Sequence, residues 1–130
     1  MKTFKYDKLI RDKISDLAIK DGAKLDYSII SGQEKIEALK KKILEEGSEV
    51  QYAKNNEELI DELADIQTIL DTILQELGMA PEEFESIKQK KNEKRGAFEK
   101  GIYAHSMAVD EQHPRYQYFL DNPEKYPEIK

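Results

Sequence analysis

Apolar residues recur every three or four positions through most of the first hundred residues, and this spacing predicts a succession of α-helices. The first helix is predicted from about Lys8 to Lys20, with Gly22 placed to end it. Ser31 and Glu34 form a capping-box pattern in front of the first of two long helices. The pattern therefore predicts a mainly helical chain.

The first long helix is predicted to stop near Asn55, and the second to end at Gly78. Pro81 suits the first turn of a fourth helix, which continues to Arg95. Between the first two helices, residues 24–30 alternate partially and contain β-branched side chains, so we expect a short extended segment there, one strand of a small hairpin. The predicted fold class is all-α, an antiparallel helical bundle with this short extended segment.

The last part of the chain, from Tyr103 to Lys130, differs from the rest. It contains three prolines and five aromatic residues, and one short helix is expected near residues 115–120. Its aromatic content is too high for a plain disordered tail. We therefore predict a domain of residues 1–102 and an extension of residues 103–130 that packs on the domain or on a partner subunit.

Composition narrows the class of protein. The 130 residues suffice for one domain of ordinary size. The net charge of −6 argues against a general nucleic-acid binder. Without cysteine there is no disulfide, thiolate nucleophile or sulfur-bound metal. No signal peptide or membrane-spanning run is recognisable, so we expect a cytoplasmic protein. The modest hydrophobic share, 38%, favours a core completed by a second copy.

Each of the two long helices carries an acidic pair at the border of its apolar face. On a helical wheel, which advances roughly 100° per residue, Glu46 and Glu62 fall within the apolar arcs of their helices. Glu49 and Asp65 lie roughly 40° beyond the edge of the same arcs. The arcs are defined by Ile36, Leu39, Ile43, Val50 and Ala53 on one helix and by Leu59, Leu63, Ile66, Ile69, Ile73 and Leu77 on the other.

Carboxylates at the edge of a buried face need compensation, because taking one out of water costs on the order of several kcal/mol. If the two helices face each other, up to four carboxylates meet, and a hard divalent cation would balance their charge. A ligand set of oxygens alone favours Mg²⁺, or Mn²⁺, over zinc. Ordinary solvated helix faces carry the same acidic spacing, so the pattern alone leaves the metal site and the plain charged surface about equally open.

The fourth predicted helix has a polar face that could hold phosphate groups. Lys88, Asn92 and Arg95 stand at positions i, i+4 and i+7, on one side of the helix. A lysine-rich helix end also interacts favourably with the helix dipole without any ligand. From the spacing alone, a solvated basic helix is the better interpretation.

Three stretches of the chain resemble, in order, the motifs of the all-α NTP pyrophosphatases. Residues 45–49 and 62–65 resemble the E-E-x-x-E … E-x-x-D signature of that superfamily, which includes MazG-like proteins, dimeric dUTPases and phosphoribosyl-ATP pyrophosphohydrolases. Residues 8–14 resemble the K-L-[VI]-R-D-K-I opening of a branch described as house-cleaning NTP pyrophosphatases. Residues 95–102 resemble the R-G-x-F-x-K-G-[IV] segment of the same branch.

The resemblance implies hydrolysis of a nucleoside triphosphate, ordinary or modified, between its α and β phosphates, giving the monophosphate and pyrophosphate. It also implies a helical core completed by dimerisation, in a homodimer or a larger homo-oligomer. The implied cofactor is Mg²⁺, with Mn²⁺ as the second choice. The implied metal ligands are Glu46, Glu49, Glu62 and Asp65.

The same resemblance implies roles for other residues. The substrate phosphates would be contacted by Lys88, Asn92 and Arg95, and, through the opening motif, by Arg11 and Lys13. Glu49 and Glu46 are assigned the catalytic role, with Glu49 accepting a proton from the attacking water. Glu45 matches the first acid of the signature but lies away from the apolar arc, so we expect an outer, structural role for it.

Two other interpretations compete with the enzyme. The chain could be a catalytically silent helical module that binds a protein partner through its C-terminal extension, although the presence of all four motif acids favours the enzyme. A carboxylate-bridged di-iron bundle needs Glu-x-x-His on its helices, and neither His105 nor His113 lies on a predicted helix with such a partner, so we set it aside.

Overall fold

The computed structural model describes the whole chain, from Met1 to Lys130, and contains five α-helices and no β-strand. The prediction of an all-α fold is therefore confirmed. The chain forms two compact units, Met1–Lys94 and Arg95–Lys130, and each is described by itself. The helices are α1 (Asp12–Lys20), α2 (Gly32–Gln51), α3 (Asn56–Glu76), α4 (Pro81–Arg95) and α5 (Tyr116–Asp121).

Two details of the predicted secondary structure are wrong. The first helix begins at Asp12, not near Lys8, and Arg11 ahead of it is extended, with φ −63° and ψ 147°. Residues 24–30 form no strand, and Ile29 in this segment is 88% exposed. A β-strand needs neighbouring strands to pair with, and no other segment of the chain pairs with residues 24–30.

An antiparallel pair of helices, α2 and α3, is the centre of the first unit and the one pair of helices that packs extensively. Leu39 of α2 and Ile69 of α3 are its buried apolar residues, and both lie on the predicted arcs. Most other arc residues are half-buried. Leu63 and Leu77, predicted to face the core, are exposed, because α2 alone covers only part of the apolar face of α3.

The short connection between α2 and α3 is fixed by a helix cap. The Asn55 side chain accepts a hydrogen bond of 2.8 Å from the backbone N–H of Glu58, and the Glu58 carboxylate accepts one of 2.9 Å from the N–H of Lys54. Ser31, the residue predicted to cap α2, does occupy the cap position, but its side chain makes no capping hydrogen bond. Only Asn55 therefore satisfies a backbone donor of the helix that it begins.

We expect Asn55→Ala to lower the free energy of unfolding by about 1 kcal/mol, the usual contribution of a side-chain N-cap. Ser31→Ala is the matched control, because it removes an N-cap hydroxyl that bonds to no backbone donor, and it should change stability by a few tenths of a kcal/mol at most. Urea unfolding followed by circular dichroism measures both. Equal losses in the two variants would contradict the assignment of the cap.

At the open end of the helix pair, Lys35 of α2 donates a hydrogen bond of 2.6 Å to Glu76 of α3. Both side chains are partly buried, so this ion pair is less screened than one on the open surface. The connection at one end and the ion pair at the other fix α2 along α3.

The second unit, Arg95–Lys130, has a small aromatic cluster of its own. The rings of Phe119 and Tyr126 meet edge to face, with centroids 4.9 Å apart. The ring centroid of Tyr118 lies 5.8 Å from that of Tyr126. The Arg115 guanidinium lies over the Tyr118 ring at 4.6 Å. The short helix expected near residues 115–120 is present as α5. The predicted boundary after residue 102 stays a prediction.

Candidate metal site

The helix pair brings acidic side chains of α2 and α3 together. Carboxylate oxygens of Glu46, Glu62 and Asp65 lie within 4.8 Å of one another. A second group, within the same distance, consists of Glu45, Glu46 and Glu49. Glu46 belongs to both groups and joins them into one cluster, which we call the acidic cluster. All four predicted metal ligands are members of it.

The members of the acidic cluster differ in burial, and the most buried of them, Glu46, is one that the helical wheel places within an apolar arc. Glu46 is the one buried charged residue of the chain, 7% exposed, and it lies on the α2 face that contains Leu39. Glu62 and Asp65 are half-buried, and Glu49 is exposed. The cluster therefore runs from the edge of the core out to solvent.

Two oxygens of the acidic cluster are buried and have no hydrogen-bond donor. They are Oε2 of Glu46 and Oε2 of Glu62, one from each helix. A buried carboxylate oxygen without a donor is costly, because it has lost its water and gained nothing in return. The two oxygens therefore need a positive charge or a proton.

The electrostatics of the metal-free chain lead to the same conclusion. Burial, sharing of a proton with Glu62 and the nearby charges of Glu49 and Asp65 raise the pKa of Glu46 to about 8. For Glu62, the shared proton with Glu46 lowers the pKa, but burial and the same two charges outweigh it and leave the pKa above its ordinary value. Without a cation, the centre of the cluster therefore tends to keep a proton.

Glu45 behaves differently from the other acids. It accepts a hydrogen bond of 2.9 Å from Lys8 Nζ and lies 3.5 Å from Lys42 Nζ. The bond from Lys8 keeps the pKa of Glu45 below its ordinary value. Its charge is thus already balanced, which agrees with the outer role expected for it.

A contact that the sequence did not reveal joins the N-terminal segment to the acidic cluster. Arg11, ahead of α1, donates a hydrogen bond to Asp65 Oδ1 across 54 positions of sequence. The signal available in the sequence was the resemblance of residues 8–14 to a family motif. It implied that Arg11 contacts the substrate phosphates, but it indicated no partner for Arg11 within the protein. Lys13 of the same motif is exposed and makes no hydrogen bond or ion pair.

The predicted phosphate-binding face of α4 is present and open to solvent. Lys88 and Asn92 are exposed on one side of α4, and the ion pair of Lys88 is with Glu85 of its own helix, at 2.9 Å. Arg95, at the end of α4, is likewise exposed. All three side chains are open to a ligand, and Lys88 and Asn92 make no hydrogen bond or ion pair with the acidic cluster.

The acidic cluster fits a hard divalent cation. Its donors are all carboxylate oxygens, and two of them are buried without a partner. An antiparallel helix pair with such a cluster at the border of its core defines an all-α protein with a site suited to a divalent metal.

Sequence comparison then identifies the family. Residues 27–92, just over half of the chain, match the model of the family described as phosphoribosyl-ATP pyrophosphohydrolase, and the chain belongs to this family. The matched segment contains every member of the acidic cluster. No curated protein and no solved structure matches the chain.

The family match confirms the resemblance to the all-α NTP pyrophosphatase superfamily and identifies the chain as a pyrophosphohydrolase, a hydrolase of phosphoric anhydrides that acts on a nucleotide-like substrate. Its place in the house-cleaning branch stays a prediction, as do its location and oligomeric state. No helix is both long enough and apolar enough to cross a bilayer.

Proposed function

We propose that this protein catalyses the Mg²⁺-dependent hydrolysis of a nucleoside triphosphate to the monophosphate and pyrophosphate. The observation that carries this proposal is the pair of buried, donor-free oxygens of Glu46 and Glu62, which lie in one cluster with Glu49 and Asp65 inside the family match. A cluster of this kind costs stability unless a cation balances it. A nucleotide pyrophosphohydrolase has a use for that cation.

The residues that would hold Mg²⁺ are Glu46, Glu49, Glu62 and Asp65. When bound, Mg²⁺ balances the charge of the triphosphate and favours the ionisation of a water molecule. Mn²⁺, with the same preference for oxygen ligands, is the expected substitute.

Among these acids, Glu49 is the one exposed to solvent, so water reaches it. We assign to Glu49 the acceptance of a proton from the water that attacks the α phosphorus. Glu46 is buried and belongs to both carboxylate groups, and we assign it the positioning of this arrangement from within. The bond between the α phosphorus and the bridging oxygen breaks, and pyrophosphate leaves.

The charge of the leaving pyrophosphate requires positive groups or hydrogen-bond donors. Lys88, Asn92 and Arg95 are spaced to offer them from one side of α4, and Arg11 lies at the acidic cluster already. We assign the phosphate contacts to these residues and to Lys13. Lys13 has the least support, because it has no polar contact with the acidic cluster.

We also propose that the protein is a homodimer or a larger homo-oligomer. Apolar side chains of three helices in the first unit are open to solvent, among them Leu17 of α1 (51% exposed), Leu44 of α2 (75%) and Ile60 of α3 (66%). Burial of such residues in an interface would complete a core that is small in the single chain. Light scattering after gel filtration tests this proposal, and a monomer at micromolar concentration would contradict it.

The activity is tested with Mg²⁺ and a panel of ordinary and modified nucleoside triphosphates, with phosphoribosyl-ATP included, in water enriched in ¹⁸O. We expect pyrophosphate and a monophosphate, with ¹⁸O in the monophosphate because water attacks the α phosphorus. Inorganic phosphate together with a nucleoside diphosphate would contradict the proposal. Turnover of phosphoribosyl-ATP alone would keep the chemistry and correct the substrate.

A further inference from the structure

The N-terminal segment, residues 1–11, places two cations against the acidic cluster. Lys8 Nζ lies 2.9 Å from Glu45 Oε1 on α2, and Arg11 is paired with Asp65 on α3. Leu9 and Ile10, between these cations, are half-buried. The segment is thus attached to α2 and α3 through these two ion pairs.

The two ion pairs differ in what they occupy. Asp65 belongs to the same group of carboxylates as Glu46 and Glu62, the residues whose buried oxygens lack a hydrogen-bond donor. Glu45 belongs to the other group that contains Glu46, and its charge is already balanced by Lys8. Arg11 is therefore paired with one of the proposed metal ligands, whereas Lys8 is paired with an acid that is not one of them.

A guanidinium and a divalent cation compete for one carboxylate. Both need the negative charge of Asp65, and two positive charges on neighbouring oxygens repel each other. The Arg11 side chain is more than half exposed, at 56%, so it can leave Asp65 without unpacking the core. Its planar group of N–H donors also matches the oxygens of a phosphate.

We infer that Arg11 is an exchangeable counter-ion of this site: it is paired with Asp65 in the metal-free protein, leaves Asp65 when Mg²⁺ binds, and is then free to contact the substrate phosphates. This inference rests on the proposed function. The ion pair of Lys8 with Glu45 holds the segment in place during the exchange, so Arg11 stays beside the site. Arg11 is thus a positioning residue in one state and a phosphate contact in the next.

The exchange can be observed directly in solution. Arginine occurs at three positions, Arg11, Arg95 and Arg115, so a ¹⁵N–¹H spectrum of the full chain contains three Nε–H signals, and the one missing from Arg11→Met belongs to Arg11. With Mg²⁺ alone, we expect the Arg11 signal to shift or broaden along the same curve as metal binding measured by calorimetry. Arg115, stacked on Tyr118 in the second unit, is the reference and should not change.

Metal affinity gives a second measurement. Arg11→Met should bind Mg²⁺ roughly two- to fivefold more tightly than the unmodified chain, because Mg²⁺ no longer has to displace the ion pair between Arg11 and Asp65, which has the strength usual for exposed ion pairs. Lys5→Met is the matched control. It removes one positive charge from the same segment, but the partner of Lys5 is Asp7, outside the acidic cluster, so affinity should not change.

The outcomes separate the two proposals. If calorimetry shows saturable Mg²⁺ binding while the Arg11 signal stays fixed, or if Arg11→Met and Lys5→Met bind Mg²⁺ equally, the exchange is wrong and the metal site stands. If no Mg²⁺ binds to either the unmodified chain or Arg11→Met, the exchange and the proposed metal site are both wrong.

Discussion

Replacing Asp65 with asparagine should lower kcat/KM for nucleotide hydrolysis by on the order of a hundred- to a thousandfold. A bound metal provides several kcal/mol of charge stabilisation in the transition state, and each ~1.4 kcal/mol corresponds to a factor of ten in rate. Asparagine keeps the size of Asp65 but removes the negative charge that a bound divalent cation requires. Steady-state rates of pyrophosphate release, measured over a range of Mg²⁺ concentrations, test the prediction.

Asp61→Asn is the control for this experiment. Asp61 lies one helical turn before Asp65 on α3, is exposed, and belongs to neither carboxylate group. Its replacement changes the net charge by the same amount, and we expect a rate within about twofold of the unmodified protein, because surface charges of this kind contribute little. Full activity of Asp65→Asn at limiting Mg²⁺ would remove Asp65 from the site while leaving the reaction itself possible.

The metal-free protein should become less stable as the pH rises from about 5 to about 8. The folded-state pKa of Glu46 is raised to about 8, whereas the unfolded chain titrates near the ordinary value of 4.5. Between these two values the folded state holds a proton that the unfolded state has released, so the free energy of unfolding falls with pH. The full effect is on the order of several kcal/mol, because a tenfold change in an acid dissociation constant corresponds to ~1.4 kcal/mol.

Urea unfolding at several pH values, with a chelator and with saturating Mg²⁺, measures this effect. Glu46→Gln carries no titrating group at this position, so in the chelator its stability should depend less on pH over this range than that of the unmodified protein, and it should be the more stable of the two at pH 8. Mg²⁺ should stabilise the unmodified protein most at high pH, where the carboxylate that it needs is ionised. A Glu46→Gln variant with the same pH dependence as the unmodified protein would contradict the raised pKa.

The sequence predicted that Glu46 and Glu62 lie on the apolar faces of their helices because helical periodicity is a local property. Once two neighbouring segments are helical, the direction of each side chain follows from its position. The wheel also placed Glu49, which is exposed, outside the apolar arc, but it placed Asp65 at the same offset, and Asp65 is half-buried. Much of the candidate site could therefore be predicted without knowledge of any long-range contact.

What the sequence could not predict depends on residues far apart in the chain. The partners of Lys8 and Arg11 lie 37 and 54 positions away, and no periodicity encodes them. The first helix was predicted to begin too early, because Lys8 matches a helical pattern but lies at a bend of the chain. The place of α4 was equally unpredictable: its charged side chains define a face, but few apolar ones direct it to a neighbour.

The connection between α2 and α3 determines more than the path of the chain. Glu46 lies five residues before Gln51, the last residue of α2, and Glu62 lies six residues after Asn56, the first residue of α3. Similar distances from a short turn bring the two carboxylates within 4.8 Å of each other, so the length of the connection helps to set the spacing of their oxygens. A one-residue insertion between Tyr52 and Asn55 would leave every acid on its helix and still change the size of the space between them. The choice between a small cation such as Mg²⁺ and a larger one such as Ca²⁺ is therefore open to engineering from a turn that contains no ligand.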